Sequence, residues 1–274
     1  MKNKFRILLE ENRWFKSVPN ALTLCNSLCG FTAMLLTLQV YQSPRGVMEV
    51  FALSAWVILF AMIFDALDGF AARIFNAASM KGIQMDSLAD MVTFGVAPAI
   101  ICAILAHCVK AMNIWQNIIT YGFCGVYLGC AALRLATYNV HAMVEKKSSD
   151  KFTGLPSPGG AAAVCSVVIF CNEYTHLAPI KYLAFGLPIY AAVLGLLMIS
   201  NVQYTHIGKW LFSIRRNKKR LAIFLVILLA IGAFRIAAVA VLINLYIFSG
   251  PIIALFEKIK FISRGGAQRQ NQTA

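Results

Sequence analysis

Four aspartates, Asp65, Asp68, Asp86 and Asp90, lie inside stretches that are otherwise apolar and long enough to cross a membrane. The chain has only eleven acidic residues, and the rest fall outside such stretches or at their ends. A carboxylate at membrane depth costs roughly a few kcal/mol, so each of these four is a candidate for function. Their spacing is Asp65-x-x-Asp68-Gly69-x-x-Ala72-Arg73, then eight residues, then Gly82-x-x-x-Asp86-x-x-x-Asp90. Asp65, Asp68, Gly69 and Ala72 share one helix face, and Gly82, Asp86 and Asp90 share another. A short link over about 75–81 lets the two helices run antiparallel with those faces opposed. The four carboxylates then converge. Ionised together they repel, and about two divalent cations would balance them. All-oxygen ligation favours Mg²⁺ or Mn²⁺. The bland alternative is four aspartates facing a water-filled cavity.

Composition sets the elements that must position these groups. A chain of 274 residues, 59% hydrophobic and 13% charged, is too apolar to cover a soluble surface. We expect an all-α integral membrane protein of about eight transmembrane helices, a six-helix catalytic core followed by two C-terminal helices. The spans read 18–41, 48–75, 84–108, 114–142, 156–174, 180–201, 219–233 and 236–256. Residues 221–256 form one apolar stretch broken by Gly232 and Arg235, too long for a single crossing, so a tight turn is placed near Arg235. The alternative there is one span followed by an interfacial helix. The expected organisation is an amphipathic segment over 1–17, the core over 18–210, C-terminal helices over 211–258 and a polar tail over 259–274.

Charge placement orients the bundle. Basic residues gather before the first span, in the second, fourth and sixth loops and in the tail, whereas the alternate loops hold Arg45, Lys110, Lys181 and Arg235, one each. The positive-inside rule then puts both termini and the Asp-bearing hairpin on the cytoplasmic side of the inner membrane. The net charge of +14 reads as topology and attraction to anionic lipid, with no need for nucleic acid. The eight cysteines lie mostly in apolar spans without a Cys-x-x-Cys pair, and the four histidines have no partner at ligand spacing, so neither zinc nor a disulfide framework is expected. Gly125-x-x-x-Gly129 and Gly159-Gly160 followed by Ala161, Ala162 and Ala163 read as surfaces for close helix packing within the chain, and a homodimer is left open.

Polar residues inside the spans complete the candidate site. Asn20, Thr23 and Asn26 run along the first span; Asn20 could cap the helix, but capping does not explain Asn26, and a polar lining toward nucleotide or phosphate does. Arg134 has no carboxylate in its own span and suits a carboxylate or phosphate, with Asn139 and Thr93 as polar neighbours.

The pattern D-x2-DG-x2-AR-x8-G-x3-D-x3-D resembles, position for position, the signature of the CDP-alcohol phosphotransferase family. The resemblance implies a membrane enzyme that uses a cytidine diphosphate lipid and two metal ions on Asp65, Asp68, Asp86 and Asp90. In phosphoryl transfer of that kind Arg73 can fork onto a phosphate, and Gly69 and Gly82 let a base or ribose approach. Asp90 is the best placed of the four to take the acceptor's proton. The stretch from Ser87 to Ala99, Pro19 to Phe31, Gly154 to Pro158 and Leu197 to Tyr204 look like the serine-accepting branch, which implies CDP-diacylglycerol and L-serine as substrates. Thr137 departs from that branch, which often has a second arginine there. Other acceptors in the family, such as glycerol 3-phosphate, inositol phosphate or choline, are the near alternatives. A divalent-cation transporter is the distant one, and it gives no reason for Gly69, Arg73 and Gly82 at fixed offsets.

Overall fold

The computed structural model describes residues 13–42, 46–75, 79–109, 113–144, 154–174, 180–202, 236–253 and 256. Among these there is no strand, and the helices are α1 (Arg13–Leu38), α2 (Val47–Ile74), α3 (Met80–Asp90), α4 (Ala97–Val109), α5 (Ile114–Val144), α6 (Ser157–Glu173), α7 (Ile180–Ile199) and α8 (Ile236–Ile253). A π-helical segment, Met91–Val96, joins α3 to α4, so that Met80–Cys108 is a single span. Six helices are long and apolar enough to cross a membrane, and α6, at 17 residues, matches the remaining described span of the expected set. The protein is therefore an all-α integral membrane protein. The expected span 219–233, the turn near Arg235, residues 1–12 and the basic clusters at 146–151 and 209–220 lie outside the described residues.

Two units are distinct, Met1–Ser148 with Pro156–Ile199, and Ser149–Leu155 with Ser200–Ala274. In the second, Gly154 donates its N–H to the Val202 carbonyl at 2.8 Å, and α8 buries Ala238, Ala240 and Ile247. The first unit carries the aspartates. Within it α1 packs on α2, α2 on α6, and α7 on both α4 and α5.

Helix α2 shows how sequence sorts faces in a bilayer. Trp56, Phe60, Ile63, Leu67, Phe70 and Ile74 recur at three- and four-residue steps and are all exposed, while Ser54, Ile58, Ala61 and Asp68 are buried on the opposite side. In water such an exposed stripe would be a liability; here lipid solvates it, and the carboxylates turn inward.

The small-residue surfaces divide. Gly160, Ala161, Ala162 and Ala163 are buried in α6 as expected. Gly125-x-x-x-Gly129 is corrected: a Cβ at either glycine would meet nothing within 4 Å, so this motif seats no helix of the described chain. The close approach in α5 comes one residue pair away, where a Cβ on Gly195 of α7 would lie 2.8 Å from the Tyr127 Cα. Spacing alone cannot say which side of α5 a neighbour occupies.

Candidate active site

Helix α2 ends where Phe75 donates its N–H to Ala71, and α3 restarts at Ser79, whose hydroxyl caps it by accepting from the Gly82 N–H at 3.0 Å. Ser preceding a helix satisfies one of its unpaired first-turn amides. The two aspartate-bearing helices bring their carboxylates together. One carboxylate oxygen from each of Asp65, Asp68 and Asp86 lies within 4.8 Å of the other two. Asp90 falls outside that trio, one turn beyond Asp86 on the same helix, and is buried.

Helix α1 supplies the third wall. Thr23 places its hydroxyl 2.8 Å from Asp68 Oδ2 and 3.0 Å from the Pro19 carbonyl, so its single proton has two acceptors. Asn26 donates from Nδ2 to Asp90 Oδ1 at 3.1 Å. Asn20 does not cap α1, which already runs from Arg13; the residue sits inside the helix and faces a cleft. That cleft has about 460 Å³ of empty volume including its open mouth, and is lined by Pro19, Asn20, Thr23, Asp68, Gly69, Ala72, Ser79, Gly82, Ile83 and Asp86. Pro19, Ser79 and Ile83 were not singled out from sequence, although Ser79 carries a helix-start signal. Asn26 is absent from the lining. Arg73 is exposed in the last turn of α2, where a cation suits the helix dipole.

The residues expected around the acceptor are dispersed over three contacts. Arg134 donates from Nη1 to the Ser157 hydroxyl at 2.9 Å, feels the charge of Asp90, and buries an Nε without a partner. Asn139 accepts from Ser87 at 2.7 Å, and Thr93 donates to the Asn26 carbonyl at 2.9 Å. Thr137 returns its hydroxyl to Leu133 within α5.

Comparison with known proteins identifies the arrangement. The family model for CDP-alcohol phosphatidyltransferase matches residues 16–248, which contain the whole cleft and the aspartate cluster. The chain belongs to this family. As a CDP-alcohol phosphatidyltransferase family member it is a membrane-embedded transferase of phospholipid biosynthesis. It is similar to the CDP-diacylglycerol–serine O-phosphatidyltransferase of Helicobacter pylori, 31% identical over 77% of this chain and 84% of the relative. The enzyme of the same name from Bacillus subtilis is 31% identical over 70% of this chain and 92% of the relative. That from Methanocaldococcus jannaschii is 30% identical over 69% and 73%.

Metal ions are the cofactors such a family implies, and the donor set fits them. The three grouped ligands are all carboxylate oxygens, and Asp86 Oδ1 is buried with no hydrogen-bond partner, a group that a cation would satisfy.

Proposed function

We propose that this chain transfers the phosphatidyl group of CDP-diacylglycerol to the hydroxyl of L-serine, giving phosphatidylserine and CMP. The observation that carries the reading is the trio Asp65, Asp68 and Asp86 gathered beside a cleft floored by Gly69 and Gly82. The names of the similar proteins support serine as acceptor. Asp65, Asp68, Asp86 and Asp90 would hold two Mg²⁺ or Mn²⁺, which would supply charge neutralisation of the pyrophosphate. In the transfer, the serine oxygen forms a bond to the phosphorus that bears diacylglycerol. The bond from that phosphorus to the CMP oxygen breaks, and the hydroxyl proton passes to Asp90. Asn20, Thr23, Gly69, Ala72 and Gly82, which line the cleft, would face the nucleotide, and Arg73, exposed one turn beyond Gly69, would attract phosphate. The charge asymmetry of the loops supports a cleft open to the cytoplasm of an inner-membrane protein. Serine and CMP would exchange there, while the lipid enters between helices. The deciding test is purified protein with CDP-diacylglycerol, Mn²⁺ and a panel of acceptors. CMP release that depends on serine supports the reading; release only with another acceptor rejects it.

Two variants sharpen the site. A Cβ at Gly69 meets nothing within 4 Å, so Gly69→Ala should fold and melt like the parent, yet it pushes a methyl into the cleft. We expect KM for CDP-diacylglycerol to rise by about threefold or more, the scale of one misplaced methyl in a binding site. An unchanged KM would move the nucleotide away from Gly69. Arg134→Lys should raise KM for serine by about tenfold, because lysine cannot make the paired hydrogen bonds of a guanidinium to a carboxylate. KM for CDP-diacylglycerol should stay near the parent value. A raised KM for the lipid with unaltered serine dependence would assign Arg134 to the lipid phosphate instead.

A further inference from the structure

The span that carries Asp86 and Asp90 does not continue as an α-helix. Met91–Val96 is wound as a π-helix directly after Asp90, and the ladder returns to α geometry from Ala97. One residue inserted into a helix rotates everything beyond it by about 100° relative to an uninterrupted α-helix. The segment therefore uncouples two demands. Helix α3 must aim its carboxylates at α2, and α4 must present a packed face to α7. A π segment sacrifices hydrogen-bond geometry and needs neighbours to hold it.

Those neighbours are present on both sides. Toward α1, Thr93 is fully buried and donates to the Asn26 carbonyl at 2.9 Å. The backbones meet there: a Cβ on Gly30 would stand 2.5 Å from Thr93 Oγ1 and 2.7 Å from Thr93 Cα, so only glycine admits this approach. Toward α5, the fully buried Tyr127 donates its hydroxyl to the Phe94 carbonyl at 2.7 Å. The same Asn26 whose carbonyl receives Thr93 sends its amide to Asp90 Oδ1. Its own Oδ1 is buried without a partner, and Asn26 is completely buried. A buried amide oxygen left unpaired is a cost accepted for keeping the NH₂ on the carboxylate.

We propose that Asn26 and Thr93 are positioning residues for Asp90: together they lock the π segment to α1 and hold one oxygen of the carboxylate, leaving the other directed to the reacting hydroxyl. This removes Asn26 from the nucleotide site and Thr93 from the acceptor site. The inference rests on the reading of Asp90 as the proton acceptor.

The test uses the full-length protein in detergent or nanodiscs, with four measurements: kcat, both KM values, CDP-diacylglycerol binding and Mn²⁺ affinity. Thr93→Val keeps shape and deletes the hydroxyl; Thr93→Ser restores it. Asn26→Asp keeps size but replaces the donor by a second carboxylate. Expected is a fall in kcat of about tenfold or more for Thr93→Val and about a hundredfold for Asn26→Asp, with lipid binding, Mn²⁺ affinity and both KM values near the parent. Thr93→Ser should recover most of kcat. Should Asn26→Asp fail to fold, the Thr93 pair decides alone. Either of two outcomes overturns the proposal: a raised KM for CDP-diacylglycerol at unchanged kcat, or a Thr93→Ser variant as slow as Thr93→Val. Asp90→Asn, run alongside, separates the two levels. If it turns over normally the catalytic reading fails; if it is dead while Thr93→Val is normal, only the positioning inference fails.

Discussion

Asp65→Asn, Asp68→Asn and Asp86→Asn are each expected to cut CMP release at least about a hundredfold at saturating Mn²⁺, because removing one electrostatic partner of a developing transition-state charge costs roughly 3 kcal/mol or more. The substitution preserves side-chain size, so packing is not the cause. Asp68→Asn can still offer an oxygen to the Thr23 hydroxyl, and its loss isolates charge from hydrogen bonding. Stability should move the other way. In metal-free protein the three carboxylates crowd within 4.8 Å of one another, and neutralising any of them relieves repulsion. Thermal unfolding in chelator should therefore occur at the parent temperature or above it. Activity lost together with stability would make the aspartate a structural residue, and near-parent activity in any one variant would remove that residue from the metal site.

The legible part of this molecule is the part governed by local periodicity. Asp65 and Asp68 on α2, and Asp86 on α3, meet because i, i+3 and i+4 spacing fixes a face and a short return opposes two faces. The described spans follow from apolar run length for the same reason. What escaped depends on contacts between distant segments. Nothing local to Arg134 points to Ser157, and nothing in Asn139 points to Ser87, since each pair is settled by how α5 leans on α6 or α3. The π segment also escaped: apolar residues from Met91 to Val96 fit an α-helix equally well, and the contacts made there, Thr93 against Gly30 and Tyr127 to the Phe94 carbonyl, join segments distant in sequence. Gly125 and Gly129 fail in the opposite sense. Their spacing is favourable, but the neighbouring helix approaches at Tyr127 and Cys130.

Asp90→Asn is expected to retain CDP-diacylglycerol binding and to lose transfer by about a hundred- to ten-thousandfold, the range that a positioned general base contributes. Asp90 is buried, 8% exposed, and lies apart from the trio that could grip a cation without it. Asparagine in its place still offers an oxygen to the Asn26 amide, so the clasp on the π segment persists and the helix keeps its register. What disappears is the capacity to receive a proton. Binding of the lipid to the variant, followed in the presence of Mn²⁺ and set beside single-turnover CMP release, separates holding from chemistry. Retained binding with no release assigns the proton to Asp90. Loss of lipid binding in this variant would make Asp90 a holding ligand alone, and the serine proton would then have to leave by another group.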